Sequence, residues 1–422
     1  MEGAKMGFLD IELGLNDKAK AVCGLAERFA LEIMRPAGIE LDKLHDPSDV
    51  IAPGSKLWDV IRKHRELGFH KMAIPRALGG MLEDVDPNAA ILVNEQLGYG
   101  DVGIAESLAV SSIPFVLASM FPIPEIQGLA RQFCDDTEAK MIGCIAFSEP
   151  DHGSDWILAN QPGYDCPALA PSVRAVKKGD EYVINGRKAA WISNGTIATH
   201  AALCVSLDAS KGMQGTGLAI MPLNLPGISR GKPLNKIGMR AYSQGEIIFE
   251  EVSIPKEMMV IADSAMATQL IRLVIAVMSG GQGILFLGLG RAAFDEALKY
   301  AGSRVQGGKT ILEHQGVQLR LFEMFRTLEA ARAYAHKVAR YNAANPPGST
   351  LHSMASKVVA TETAFKVASE AVQIFGAYGL SRESPIEKMF RDARMGMIGE
   401  ENNALSLAAA SEFKLGSKQG AL

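Results

Sequence analysis

The chain has 422 residues, enough for two or three domains, with 48% hydrophobic and 21% charged residues and a formal net charge of −4. That balance is ordinary for a soluble globular enzyme, and without a polybasic block it argues against nucleic acid or an anionic membrane as a partner. The five cysteines (Cys23, Cys134, Cys144, Cys166, Cys204) never form a CxxC, and the eight histidines show no HxxxH or HExxH spacing. These patterns point away from a disulfide framework or zinc site and toward a reducing, cytoplasmic location.

The N-terminal stretch "MEGAKMGFLDIELGLNDKAK" reads as neither a signal nor a transit peptide. From there to about residue 143 the pattern is helical. Asn16 or Asp17 is placed to cap "KAKAVCGLAERFALEIM", and Asp86 with Pro87 opens "DPNAAILVNEQLGYG". The texture changes at Cys144. "VRAVKKGDEYVINGRKAAWIS" gives short β-rich runs broken by Lys-Gly-Asp and Asn-Gly, both hairpin signals. "AALCVSL", "GLAIMPL" and "GEIIFEEVSI" continue the pattern to about Pro255.

Beyond Lys256 the helical pattern returns. Residues 270–290, "LIRLVIAVMSGGQGILFLGLG", are long enough to span a bilayer, but Arg272, Gln282 and the glycines favour a buried core helix. In "LFEMFRTLEAARAYAHKV", Leu321, Phe325, Leu328, Ala331, Ala335 and Val338 share one face at helical spacing. Pro346 and Pro347 part this helix from the alanine-rich "LHSMASKVVATETAFKVASEAVQIF", a texture suited to a bundle. The expected architecture is α+β: an N-terminal helical domain (1–143), a middle antiparallel β-barrel domain (144–258) and a C-terminal four-helix bundle (259–422).

Four stretches carry possible chemistry. "IAFSEPDHGSDW" (145–156) breaks an apolar run with hydroxyls, acids, a proline and a glycine; alone it is usually a turn. "GRKAAWISNG" presents Trp191 and Ser193. "GSRVQGGKTILEHQ" places Arg304 before glycines and Gln315 beyond them. "AVQIFGAYGLSRESPIEKMFRDARMGMIGEENN" joins Gln373, a turn at Gly376, the Arg391–Asp392 pair and a terminal acid cluster. With "NKIGMRAYSQGEIIFEEVSIP" between them, these stretches resemble, in order, the signatures of the acyl-CoA dehydrogenase family from about residue 15 to 415. Each motif is weak alone; four in sequence are specific.

The resemblance implies FAD-dependent α,β-dehydrogenation of an acyl-CoA thioester, with electrons passed to an electron-transferring flavoprotein. It implies a homo-oligomer, a tetramer by preference. Glu400, shortly after Arg391–Asp392, falls on the catalytic base; the family's other location for the base is closed, because residues 264–294 contain no Asp or Glu. Phe147, Ser148 and Ser154 would line the cofactor site, with Ser148 at the flavin edge and Ser154 serving cofactor or thioester. Trp191 would cover one face of the ring and Ser193 would donate near N5. Arg304 would meet the pyrophosphate of a neighbouring subunit's FAD, where a guanidinium fork suits phosphate, and Gln315, Gln373 and Gly376 would complete that site. Gly399, Glu106 and Ser154 fall on substrate-binding positions.

Departures from the family pattern are also visible. Glu401 and Asn402 stand where Gly-Thr is usual; Asn402 can replace the threonine toward the cofactor, while Glu401 either crowds the site or points to solvent. Ser279 stands where many members carry an arginine. Glu106, in "GYGDVGIAESLAV", is either on a solvated helix face or a second acid for a polar, cyclic or conjugated acyl group. Other reactions on the same scaffold (an acyl-CoA oxidase, a desulfinase, a dehydrogenase of cyclic or conjugated acyl-CoA) remain open, as does a catalytically silent helical scaffold.

Overall fold

Asn16 starts the first helix in the computed structural model, which describes residues 15–158 and 161–418; residues 1–14 of the N-terminal stretch read for a leader lie outside them. The Asn16 side chain accepts from the Ala19 N–H at 2.8 Å, capping α1 (Asp17–Arg28). The chain continues through α2 (Arg35–Lys43), α3 (Pro47–Val50) and α4 (Lys56–Glu66). Helix α5 (Pro87–Gly100) opens as expected on an Asp86 cap with proline in its first turn. Asp101 then caps α6 (Val102–Met120), which leads to α7 (Pro124–Asp135).

The middle domain is a seven-stranded sheet of β1 (Gly143–Ala146), β2 (Arg174–Lys178), β3 (Glu181–Arg187), β4 (His200–Ser206), β5 (Thr216–Pro222), β6 (Ile228–Arg230) and β7 (Ile247–Pro255). Its order is β1-β4-β2-β3-β7-β6, with β5 on β4. The expected all-antiparallel pairing needs correction, because β4 pairs in parallel with both β1 and β2. Lys-Gly-Asp makes the β2–β3 hairpin, with Gly179 at φ 65°. Asn185-Gly186 is not a hairpin turn. It lies inside β3, where the register against β7 shifts, and Gly186 lets the backbone pass Val173: a Cβ there would sit 2.7 Å from the Val173 Cα.

The C-terminal helices are α8 (Ser264–Ser303), α9 (Gln315–Ala344), α10 (Thr350–Phe375), α11 (Pro385–Gly396) and α12 (Asn402–Lys418), with a small hairpin of β8 (Val305–Gln306) and β9 (Lys309–Thr310) between α8 and α9. The apolar run 270–290 lies within α8, whose apolar window is largely buried inside the protein. Glycines let α8 meet α5: a Cβ on Gly98 would stand 1.9 Å from the Leu285 carbonyl oxygen, and one on Gly288 2.1 Å from that of Glu95. On α9 the inward stripe takes Met324 rather than Phe325, which is 40% exposed.

Two buried charge clusters fix the domains together. Glu95 of α5 accepts from Arg291 of α8 at 2.9 Å, and from Arg332 and His336 of α9 at 2.9 and 2.7 Å. Burial alone would raise its pKa; the surrounding cations hold it well below the usual carboxylate range instead. The second cluster is the Arg391–Asp392 pair on α11. Arg391 grips Glu387 and, across the domain boundary, Asp42, while Asp392 accepts from the Met239 N–H of the middle domain and from Lys388, which also reaches Asp101. The pair thus sets where α11, and the loop after it, must lie.

Candidate functional site

The loop that α11 delivers carries Gly399, Glu400 and Glu401. Glu400 adopts φ 45°, and its backbone N–H donates to no group among the described residues. Its Oε2 accepts from the Ser279 hydroxyl of α8 at 2.8 Å; Oε1 is enclosed without a partner. Burial raises its pKa, against the opposing pull of Lys357 and the Ser279 bond. A partly desolvated carboxylate with one free oxygen can accept a proton.

Lys357 of α10 holds this loop from below. Its ammonium donates to the carbonyl oxygens of Gly399 and Glu400, and to Asn402 Oδ1 at 2.8 Å, using all three of its N–H groups. Burial lowers its pKa to about 8, although Glu400, Glu106 and Glu401 act the other way. Sequence reading missed Lys357 inside an alanine-rich helix; the signal was its place on the inward stripe with Ser353, Thr361, Ala364 and Ala368. Asn402 is buried on Lys357 and Thr361, so among its described contacts it serves the loop. Glu401 neither crowds the site nor simply points to water: its carboxylate accepts from the N–H groups of Asn403 and Ala404, capping α12.

Facing Glu400 is Glu106 of α6, only 5% exposed, which removes the solvated-face reading. Burial and then the charge of Glu400 push its pKa up to about 7, while the neighbouring Gln282 side chain of α8 and the charge of Lys357 oppose the rise. The Glu106 Oε1 and Gln282 Oε1 atoms are both enclosed without partners. The next residue on α6, Ser107, exchanges bonds with Asn194: its hydroxyl donates to Asn194 Oδ1 at 2.8 Å, and Asn194 Nδ2 returns one to the Ser107 carbonyl at 2.9 Å. That clamp fixes the Trp191–Ser193 loop beside Glu106.

Ser193 lies beside the buried hydroxyl of Tyr242, whose pKa burial and then Glu106 push well above its ordinary value. Lys236 supports the same loop, donating to Gln244, which in turn donates to the Trp191 carbonyl at 3.0 Å. Trp191 itself is 57% exposed, a large indole held on a rigid loop with little protein over it. Tyr242 and Lys236 lie in "NKIGMRAYSQGEIIFEEVSIP", where nothing in the sequence marks either for a role.

"IAFSEPDHGSDW" turns sharply after β1, with Glu149 and His152 bonded backbone to backbone across Pro150. Glu149 is buried on Lys188 at 2.8 Å and on Ser172, anchoring the turn to the sheet. Phe147 is buried edge-on to Trp156. Ser148 and Ser154 stay partly exposed, and Ser148 donates to the Gly153 carbonyl at 3.1 Å. Gly153 has open space where a Cβ would go.

Arg304, Gln315, Gln373 and Gly376 form a separate group. They lie where α8 ends, α9 begins and α10 ends, brought together by Tyr300 stacking on Phe375 at 4.2 Å. All four are exposed. From Ser279, beside Glu400, to Arg304 is about 37 Å along α8 at the helical rise. The structure therefore separates these residues from the Glu400 site of their own chain.

Known proteins resemble this chain over most of its length. Models of the acyl-CoA dehydrogenase N-terminal, middle and C-terminal domains match residues 17–119, 144–252 and 269–410. The mitochondrial short-chain specific acyl-CoA dehydrogenase of Rattus norvegicus is 30% identical over 372 residues, 88% of this chain and 84% of the rat protein. Cyclohex-1-ene-1-carbonyl-CoA dehydrogenase of Geobacter metallireducens is 30% identical over 349 residues, 81% of this chain and 85% of that protein. The structure of butyryl-CoA dehydrogenase from Megasphaera elsdenii superposes with a TM-score of 0.82 at 26% identity, covering 96% of this chain and 100% of that one.

Proposed function

Because the chain belongs to the acyl-CoA dehydrogenase family, oxidoreductases acting on CH–CH groups, we propose that it is an FAD-dependent acyl-CoA dehydrogenase with Glu400 as its base. The observation that carries this reading is the Glu400 carboxylate: one oxygen anchored on Ser279, the other enclosed and free, on a loop pinned by Lys357.

The residues present fit a flavin. The exposed indole of Trp191 offers an apolar face to a planar ring, Ser193 and Ser148 offer hydroxyls at its edge, and Gly153 leaves room for close approach. FAD, when bound, supplies the hydride acceptor for the β-carbon. Glu400 removes the α-proton through Oε1. Its free N–H is available to the thioester carbonyl, where a hydrogen bond would stabilise charge developing as the proton leaves. Ser279 and Lys357 keep the carboxylate and the loop in register.

Arg304, Gln315, Gln373 and Gly376 serve, in this reading, the pyrophosphate end of a neighbouring subunit's FAD. Their distance from Glu400 along α8 and the exposure of Val305, Tyr378 and Leu380 beside them support an oligomer, proposed as a tetramer. An electron-transferring flavoprotein is proposed as the electron acceptor by likeness to the family.

The test is anaerobic titration of the purified yellow protein with a panel of CoA thioesters. Bleaching of the flavin by at least one thioester is the expected outcome. A colourless protein, or a yellow one that no thioester bleaches, would overturn the reading.

A further inference from the structure

Glu400 is one of two carboxylates in this site, and dehydrogenation needs only one. Glu106 is nine-tenths or more buried and keeps one oxygen without a hydrogen-bond donor. Gln282, whose side chain lies beside it, likewise keeps its carbonyl oxygen unpartnered. Gln282 extends from the same helix that carries Ser279, one turn away, so the two unmatched acceptors sit beside the base. Leaving two buried acceptors unsatisfied costs free energy in the free protein and is worse again if a hydrocarbon chain is pressed against them. A saturated straight acyl chain is therefore the wrong ligand for this end of the pocket.

We propose that Glu106 and Gln282 together form a subsite for a hydroxyl group carried by the acyl chain beyond its β-carbon, so that the substrate is a hydroxylated acyl-CoA thioester. This deepens the dehydrogenase reading and rests on it. The choice of a hydroxyl follows from the donor inventory. A hydroxyl donates one hydrogen bond and accepts others, so it can donate to Gln282 Oε1 or to an ionised Glu106 and accept from a protonated one. A ketone only accepts and would leave Gln282 Oε1 unmatched. A second carboxylate on the substrate would meet Glu106 and Glu400 at close range. Lys357, the cation that acts on both, already donates all three of its N–H groups to Gly399, Glu400 and Asn402. A substrate ammonium could donate to both oxygens, but only an ionised Glu106 would balance its charge, and the Lys357 ammonium already acts on the same carboxylates.

Two matched pairs of thioesters test this on the FAD-loaded oligomer: hexanoyl-CoA against 6-hydroxyhexanoyl-CoA, and cyclohexanecarbonyl-CoA against 4-hydroxycyclohexanecarbonyl-CoA. In at least one pair the hydroxylated member should bleach the flavin with a kcat/KM at least about tenfold above its parent, since a site built to bond a hydroxyl rejects the analogue that lacks it. Glu106→Leu should reverse that preference, and Gln282→Leu should reduce it. Binding supplies a readout independent of turnover. In a Glu400→Gln holoenzyme, calorimetry should show the hydroxylated member binding more tightly, and that difference should vanish when Glu106→Leu is added. Parents that bleach as fast as their hydroxylated partners, or a preference unmoved by Glu106→Leu, would overturn the subsite and leave the dehydrogenase reading standing. Absence of bleaching by all four thioesters and by the wider panel would instead sink the dehydrogenase reading itself.

Discussion

The ammonium of Lys357 donates to the carbonyl oxygen of Glu400 at 2.9 Å, so a buried lysine on one helix holds the backbone of the proposed base that another helix delivers. It is also the cation that most opposes the rise of the Glu400 pKa. Geometry and charge of the base thus depend on one side chain.

Replacing it removes both effects at once. Lys357→Met keeps the length of the stem but leaves the Gly399 and Glu400 carbonyls without their donor, each worth about 1–3 kcal/mol when buried. Losing the cation also raises the Glu400 pKa further, so the acid limb of the pH profile for flavin reduction should move to higher pH. Stopped-flow bleaching across pH 5–9 reads both changes; an unmoved profile would show that Lys357 acts on the loop alone.

Glu400→Gln should leave a folded, yellow protein that binds acyl-CoA and barely reduces its flavin, because it keeps shape and loses the basic lone pair. Removal of a general base typically costs roughly 10²–10⁴ in rate. Glu401→Gln is the control, since Glu401 caps α12 and should cost about 1 kcal/mol of stability with most activity kept. Bleaching lost in the Glu401 variant and kept in the Glu400 variant would move the base by one residue.

The pH dependence of stability should report Glu106. Its folded pKa is raised from 4.5 to about 7, so between those values the folded state binds the proton that the unfolded state has released. Stability attributable to this group therefore falls as pH rises from about 4.5 to 7 and levels off above. The full loss is on the order of 3 kcal/mol from the size of the shift. Glu106→Gln should melt close to the parent at pH 4.5 and a few degrees above it at pH 8. Equal differences at both pH values would mean the carboxyl is not held neutral by its surroundings.

Arg304→Ala should weaken FAD retention and loosen the oligomer together, because the proposed cofactor bridges subunits. A lost charge-assisted contact costs roughly 1.5–3 kcal/mol. Flavin content after gel filtration, read beside the oligomer's elution volume, checks this. A variant that elutes as a monomer with full flavin would refute the bridge.

What the sequence determined by itself was local. Asn16 and Asp86 cap their helices because capping needs only a side chain and the next two or three N–H groups, and Lys-Gly-Asp turns β2 into β3 because the turn is complete within itself. Trp191, Ser193 and Glu400 stood out only through the resemblance of their motifs, taken in chain order, to those of a known family. Tertiary structure decided the rest. Asn185-Gly186 carries a turn signal, yet β7 pairs along its strand and Val173 leaves no room for a side chain, so the glycine relieves a close approach. The parallel pairing of β4 with β1 and β2 joins segments far apart in sequence, which no local pattern encodes. Glu106 stayed open between a solvated face and a second acid, and Lys357 and Gln282 read as ordinary polar residues on helices, because a charge shows its cost only when neighbouring elements close over it. Their burial is set by α6, α8, α10 and the Glu400 loop meeting at one place, and that meeting is fixed by contacts such as Arg391–Asp42 and Ser107–Asn194 between segments far apart in the chain.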